Sequence, residues 1–128
     1  MTMRSIHLFL LGLTLACALT LCAQDHPLGE TPTWAEAIAA YDQLHQDHPD
    51  ATEFVEFGLS DVGRPLHLFT LGPPDAPLRI LVNNAIHPGE PCGVNASLMW
   101  ATDLLASGRL PEGVHIGIVP LYNVGGGL

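Results

Sequence analysis

The fold of this chain is decided by one stretch, Arg79-Ile-Leu-Val-Asn-Asn-Ala-Ile-His-Pro-Gly-Glu90. Residues 79–85 have the apolar and β-branched composition of a buried strand. In the segment that follows, apolar residues recur at helical spacing on one face, and Ser107-Gly108 supplies a helix end. The residues on that face are Leu98, Ala101, Leu104 and Leu105. The sequence therefore predicts a strand, a polar turn and a helix.

The polar turn is where we expect chemistry, because ligands in open α/β sheets bind beyond the carboxyl ends of the strands. It contains His87 and Glu90, which are separated by the turn formers Pro88 and Gly89. A neutral imidazole and a carboxylate are two of the three protein ligands of a His₂Glu hydrolytic zinc site, whose fourth position is left for water. We therefore predict that His87 and Glu90 bind zinc (Zn2+) and that the third ligand comes from elsewhere. The alternative is a solvated helix cap.

Local signals predict four further elements. Thr33-Trp-Ala-Glu36 has the form of a capping box, and the helix that it starts should end at His48-Pro49. The predicted strands cover residues 52–59, 65–71 and 115–122. The turn Ser60-Asp-Val-Gly-Arg64 joins the first two strands at hairpin spacing, and we expect Val55 and Phe57 to lie in the core.

Three short motifs occur in order along the chain. They are Phe57-Gly58, Ser60 and Gly63-Arg64-Pro65; then Asn84-Ala-Ile-His-Pro-Gly-Glu90; and then Pro120-Leu-Tyr-Asn123. Together they resemble the carboxypeptidase A-like zinc carboxypeptidases over about residues 33–126. The middle motif is similar to the zinc-binding H-x-x-E segment of that family. The last one matches the start of a Pro-x-x-Asn-Pro-Asp-Gly loop, with Val124 and Gly125 in place of Pro and Asp.

The resemblance implies a fold and a mechanism. The fold would be α/β, a three-layer sandwich with a mixed, mainly parallel sheet as in zinc peptidases, here incomplete. Strands 52–59 and 65–71 would be antiparallel, and strands 79–85 and 115–122 would be central. Zinc would be held by His87, Glu90 and a later His, with a glutamate as general base and an arginine that stabilises the oxyanion.

The remaining functional residues of the family lie downstream of the loop that contains Asn123. Among the arginines of this chain, only Arg109 follows Glu90. We therefore expect residues 33–128 to be the amino-terminal portion of a zinc carboxypeptidase-like catalytic domain, with the catalytic residues beyond Leu128.

The amino-terminal segment reads as a secretory leader. Residues 1–23 have Arg4 near the start, an apolar region from Leu8 to Leu21 and the small residue Ala23. An uncleaved membrane anchor and a lipoprotein are the alternatives. We expect cleavage after Ala23, a flexible leader at residues 24–32, and a secreted or periplasmic protein without a stable membrane span.

The charge balance excludes some partners. The chain has 4 Lys and Arg against 13 Asp and Glu, for a formal net charge of −9, and none of the four is Lys. Nucleic acid and anionic membranes draw on clustered cations, so neither is expected as a partner. The expected partner is a peptide or protein substrate.

Other chemically capable residues are expected to have structural roles. Cys92 is unpaired once the leader is removed, and we expect it to be a buried small residue at the helix start. Arg64 should pack or pair within the turn. Four histidines are assigned no ligand role: His45 and His48 should face solvent, and His67 and His115 should pack in the core or at an edge.

Three functions fit these observations. The first is a secreted zinc metallocarboxypeptidase. The second is a zinc amidohydrolase of the aspartoacylase and succinylglutamate desuccinylase type, which shares the H-x-x-E motif. The third is a non-catalytic secreted binding domain with the same fold. The leader and the Ser-x-x-Gly-Arg turn favour the first.

Overall fold

The computed structural model describes residues 31–87 and 89–127. The predicted signal peptide at 1–23 lies outside the described residues, as does most of the predicted leader at 24–32. The elements are α1 (Trp34–Asp47), β1 (Thr52–Leu59), β2 (Pro65–Leu71), β3 (Leu78–Asn83), α2 (Cys92–Ser107) and β4 (Val114–Val119). All six predicted elements are thus present. Within the described ranges, no helix is both long enough and apolar enough to cross a membrane.

The two later strands are shorter than predicted at their carboxyl ends. β3 ends at Asn83, and β4 ends at Val119. Pro120 has no backbone N–H to offer to a sheet ladder, which explains why β4 stops before it. The predicted end of β4 was too late because Leu121 and Tyr122 continue the apolar pattern beyond Pro120.

The four strands form one mixed sheet in the order β1-β2-β4-β3. β1 and β2 form the predicted antiparallel hairpin, and β2 is also antiparallel to β4. β3 and β4 are parallel, from the pair Leu78 and Val114 to the pair Asn83 and Val119. The predicted α/β class with a mixed sheet is confirmed.

The position of β3 differs from the expectation that residues 79–85 form a central strand. In the part of the chain that the structure describes, β3 pairs with β4 alone and lies at the edge of the sheet. Leu78 and Leu81 are consequently more than half exposed, at 54% and 68%. An apolar run predicts a strand, but it carries no information on the number of neighbouring strands.

Helix α1 begins as its sequence predicts. The hydroxyl of Thr33 accepts from the backbone N–H of Glu36 at 3.3 Å. The carboxylate of Glu36 in turn accepts from the backbone N–H of Thr33 at 2.8 Å. This reciprocal capping box satisfies two of the donors that a helix start leaves without partners.

The core lies on one face of the sheet, between the strands and the two helices. Its buried residues are Tyr41, Phe69, Leu71, Ala101, Leu105, Ile116 and Ile118. The strand residues in this cluster occupy alternate positions of β2 and β4, as the period of a strand requires. The face predicted for α2 is therefore the buried one, and Val94 and Ser97 also belong to it.

The prediction that Val55 and Phe57 lie in the core is wrong. Their side chains are 47% and 51% exposed. Val55 follows Phe54, which packs against the core, so it points to the opposite face of the sheet. Phe57 lies where the register with β2 shifts between Glu56 and Gly58, and this bulge leaves it without a partner in the ladder.

Candidate metal site

The turn after β3 is anchored by a buried amide. Asn84 is 4% exposed, and its Nδ2 donates to the hydroxyl of Ser97 at 2.8 Å and to the carbonyl of Val119 at 3.1 Å. Its backbone N–H also donates to the Val119 carbonyl, at 3.2 Å. The side chain therefore ties the end of β3 to α2 and to the end of β4.

Helix α1 is joined to this anchor through a contact between Tyr41 and Ser97. The phenol of Tyr41 lies 2.9 Å from the Ser97 hydroxyl in the core, and Ser97 donates to the Val94 carbonyl at 3.2 Å. Because the Ser97 hydroxyl donates its hydrogen to that carbonyl, its oxygen accepts from both Tyr41 and Asn84. Burial raises the pKa of Tyr41 to about 12, with the Ser97 hydrogen bond acting against it. The phenol is thus a permanent donor at ordinary pH.

The network of Tyr41, Ser97 and Asn84 was not predicted from the sequence. A signal was present, since Tyr41 and Ser97 lie on the apolar faces of their helices, where a polar atom needs a partner. The partners could not be paired without the fold, because Tyr41 and Ser97 are 56 residues apart in sequence.

The turn itself is held in an uncommon backbone conformation. Ala85 has a φ of 48°, in the left-handed region that residues with a side chain seldom adopt. Tyr122 donates its backbone N–H to the Asn84 carbonyl and Asn123 donates its own to the Ala85 carbonyl, both at 3.0 Å. The amide of Asn123 donates to the Ile86 carbonyl at 3.3 Å. The loop after β4 therefore fixes the path of the chain up to Ile86.

The two predicted ligands meet directly beyond this anchored segment. The Nδ1 atom of His87 lies 3.0 Å from the Oε2 atom of Glu90. Their side chains are 74% and 68% exposed. Both groups are thus held side by side at the surface of the protein, where an ion or a substrate has access to them.

The donor set suits zinc. Two atoms bonded to one zinc ion at about 2.1 Å in tetrahedral geometry are themselves about 3.4 Å apart. The 3.0 Å between His87 Nδ1 and Glu90 Oε2 is close to that spacing, so a small movement of exposed side chains is enough. Among the described residues no third His, Cys, Asp or Glu joins them in a metal-binding group. The structure thus brings the two predicted residues together, while their role as zinc ligands stays a prediction.

The alternative interpretation of Glu90 as a helix cap is not supported by the start of α2. Pro91 occupies the N-cap position and makes no capping hydrogen bond with its side chain. Glu90 lies one residue before that position, and its carboxylate is paired with His87. Pro91 therefore begins the helix, and the Glu90 carboxylate is not used as its cap.

The expectation that Cys92 is buried is wrong, because its thiol is exposed. The buried residues of α2 begin at Val94 and recur at three- and four-residue intervals. Cys92 lies two residues before Val94, which is about 200° around the helix. It therefore faces away from the sheet, on the side of α2 that the core does not use.

The remaining histidines have structural roles. His45 does not simply face solvent: it is partly buried, and its Nδ1 lies 3.0 Å from the hydroxyl of Thr52. That hydroxyl donates to the His48 carbonyl at 2.8 Å, so the pair fastens the end of α1 to the start of β1. The Nδ1 of His115 lies 3.1 Å from the Gly72 carbonyl, and His67 is buried in the sheet. Both agree with the predicted packing roles.

Comparisons with known proteins identify the fold. No family model and no curated protein matches the chain. Among solved structures it is similar to carboxypeptidase A from Helicoverpa armigera, with a TM-score of 0.66 and 18% identity over 92% of this chain and 31% of that one. It is also similar to bovine thrombin-activatable fibrinolysis inhibitor in complex with tick carboxypeptidase inhibitor, with a TM-score of 0.67 and 18% identity over 76% and 32%.

A bacterial structure is nearer in sequence. The metallo-carboxypeptidase from Burkholderia cenocepacia is 32% identical, with a TM-score of 0.54 over 70% of this chain and 27% of that one. The resemblance to carboxypeptidase A-like zinc carboxypeptidases is thereby confirmed, as is the incomplete zinc-peptidase-like fold. The chain spans between about a quarter and a third of the length of these structures.

Proposed function

We propose that this chain supplies two of the three protein ligands, His87 and Glu90, to the catalytic zinc site of a secreted metallocarboxypeptidase. The observation that carries the proposal is the 3.0 Å approach of His87 Nδ1 and Glu90 Oε2 at an exposed turn beyond the carboxyl end of β3. The similarity to metallocarboxypeptidases supports it. The predicted leader at residues 1–23 supports export to a secreted or periplasmic location.

The residues of this chain would bind and orient the metal. The imidazole of His87 would offer its neutral Nδ1 lone pair, and Glu90 would offer a carboxylate oxygen whose negative charge offsets part of the charge of a zinc ion. Such an ion polarises the peptide carbonyl and lowers the pKa of water. Asn84 and its partners keep the turn in place, and this fixes where the two ligands begin. The substrate would be a peptide or protein from which a carboxy-terminal residue is removed.

Metal retention is the direct test. In the full-length enzyme, we expect His87→Ala and Glu90→Ala each to abolish zinc retention after dialysis, measured by elemental mass spectrometry, and to abolish peptidase activity. A site with three protein ligands that loses one of them holds zinc weakly, because water must replace the missing donor. Cys92→Ser is the matched control, since this exposed thiol is two residues from Glu90, and it should leave about one zinc per chain.

The same variants separate metal binding from a simple surface ion pair. An exposed His–Glu pair contributes at most about 1 kcal/mol to stability, so its loss would leave the melting temperature nearly unchanged and the metal content intact. Full-length Glu90→Ala that retains stoichiometric zinc and hydrolyses carboxy-terminal residues at the parent rate would therefore refute the assignment. Hydrolysis of acylated amino acids in place of peptides would point to the amidohydrolase alternative, which uses the same two ligands.

A further inference from the structure

The loop after β4 continues the pairing of the two parallel strands beyond their ends. The ladder between β3 and β4 stops at Asn83. Beyond it, Tyr122 donates its backbone N–H to the Asn84 carbonyl at 3.0 Å. Asn123 donates its own backbone N–H to the Ala85 carbonyl, also at 3.0 Å. The loop therefore follows the turn after β3 for two more hydrogen bonds.

The next carbonyl of the turn, that of Ile86, is reached by a side chain. The backbone N–H of Val124 donates to the Tyr122 carbonyl at 3.1 Å, so the loop has already curled back on itself at this residue. The Nδ2 atom of Asn123 donates to the Ile86 carbonyl at 3.3 Å in its place. The Oδ1 atom of the same amide accepts from the backbone N–H of Gly126 at 3.0 Å, which decides which end of the amide faces Ile86. Asn123 therefore holds two successive carbonyls of the turn, one with its backbone and one with its side chain.

The planarity of the peptide bond carries this restraint to the predicted ligand. The carbonyl of Ile86 and the N and Cα atoms of His87 belong to one peptide unit, whose atoms lie in one plane. A donor that holds the carbonyl therefore also holds the position of His87 Cα. The His87 side chain is 74% exposed, so packing contributes little to its placement.

The restraint matters because the turn has a more relaxed alternative. Ala85 has a φ of 48°, whereas residues with a side chain prefer negative φ values. If Ala85 returned to that range, the peptide units after it would rotate, and His87 would move with them. Asn123 opposes this rotation, because its two hydrogen bonds act on the two peptide units that follow Ala85.

We propose that Asn123 is a positioning residue for the metal site and acts on His87 through the Ile86 carbonyl. The inference rests on the proposed function of His87 and Glu90 as zinc ligands. It also accounts for the asparagine, because a side-chain amide offers a donor to Ile86 and an acceptor to Gly126 at once. A carboxylate of the same shape offers acceptors alone.

Asn123→Asp tests the donor with the least change of shape. In the full-length enzyme, we expect it to weaken zinc binding about tenfold, measured by competition with a chelator of known affinity, as is usual when a group that orients a ligand is lost. The new carboxylate can still accept from Gly126, but it repels the Ile86 carbonyl. Its negative charge would by itself favour a nearby cation, so weaker binding identifies lost positioning. Asn123→Ala, which adds no charge, should weaken zinc binding to a similar extent.

Thr33→Ala is the matched control, because it removes one hydrogen bond from the start of helix α1 and leaves the loop and the turn intact. Its zinc affinity should equal that of the parent. Hydrogen exchange in the metal-free enzyme gives a second readout. The backbone N–H groups of Tyr122 and Asn123, which donate to the turn, should exchange faster in Asn123→Asp and at the parent rate in Thr33→Ala. Circular dichroism verifies that every variant is folded.

The outcomes separate this proposal from the assignment of the zinc ligands. If the parent binds zinc and both Asn123 variants bind it as tightly, the positioning role is overturned while the ligand assignment stands. Weakening of the same size in Thr33→Ala would also overturn it, because the effect would then follow stability alone. A parent enzyme that binds no zinc would refute the proposed function, and this proposal with it, whatever the exchange rates.

Discussion

Asn84 and His87 lie three residues apart in one turn and meet opposite surroundings. Asn84 is buried and forms hydrogen bonds to two other elements, whereas the side chain of His87 is 74% exposed. An exposed side chain on a surface turn is positioned only as well as the backbone that carries it. The buried amide supplies that positioning, because it fixes the chain where it leaves the sheet.

The position of the Asn84 amide requires a glycine at position 93. A Cβ atom at position 93 would lie 2.8 Å from Oδ1 of Asn84, whose Nδ2 is already bonded to Ser97 and Val119. The amide cannot move without giving up those bonds. The first turn of α2 therefore approaches Asn84 so closely that only glycine fits, and Glu90 lies three residues before it.

We expect Gly93→Ala to destabilise the protein by about 1–2 kcal/mol, since overpacking of about 1–3 kcal/mol outweighs the helix propensity that alanine gains. The measurement is chemical denaturation of the purified variant. Gly58→Ala is the matched control, because a Cβ at position 58 meets no atom within 4 Å. Equal stability of Gly93→Ala and the parent would show that the Asn84 amide is free to shift.

At this scale the sequence revealed the exposed residues better than the buried ones. His87 and Glu90 were predicted as neighbours because both belong to one short turn, and the structure places them 3.0 Å apart. The network of Asn84, Ser97 and Tyr41 was not predicted, because hydrogen bonds across 13 and 56 residues depend on how the elements pack. The role of His87 and Glu90 as zinc ligands stays a prediction.

At the level of elements, helix α1 shows what local chemistry specifies. Its start was predicted from four residues, and the structure has both hydrogen bonds of the capping box. The two strands of the hairpin were also found within a residue of their bounds. Caps and turns form between neighbours in sequence, so they can be predicted without knowledge of how the elements pack.

Removal of the cap tests that statement. We expect Thr33→Ala to lower the free energy of unfolding by about 1 kcal/mol, because the backbone N–H of Glu36 loses its acceptor. Thr102→Ala should change it by less than about 0.5 kcal/mol, since that exposed hydroxyl bonds only to the Leu98 carbonyl within α2. Denaturant melts of the two variants and the parent provide the comparison. A loss as large at Thr102 as at Thr33 would contradict the capping interpretation.

The order of the strands could not be predicted in the same way. β3 was expected to be central, and it lies at the edge of the described sheet. Val55 and Phe57 were expected in the core, and both are about half exposed. The error for β3 arises because an apolar run does not show how many strands will pair with it. The error for β1 arises because a strand pattern shows which residues share a face but not which face the helices cover.

On the scale of the whole molecule, the edges of the sheet are poorly protected. β3 exposes Leu78, Ile80 and Leu81 along a strand that has one neighbour in the described residues. Natural proteins often guard such an edge with lysine, and this chain contains none. Arg79 is the one charged residue of β3. The strand is therefore a template on which another strand can pair.

We expect residues 24–128, produced alone, to express poorly or to self-associate. Light scattering coupled to size-exclusion chromatography should give a mass above that of a monomer, which rises with protein concentration. Leu81→Lys should reduce the association, because it places a charge on the exposed face of the edge strand. Met99→Lys is a control of equal exposure, 67% against 68%, but it lies on helix α2, so it should change the mass distribution little. A monodisperse monomer with a sharp cooperative melt would show that the β3 edge needs no partner.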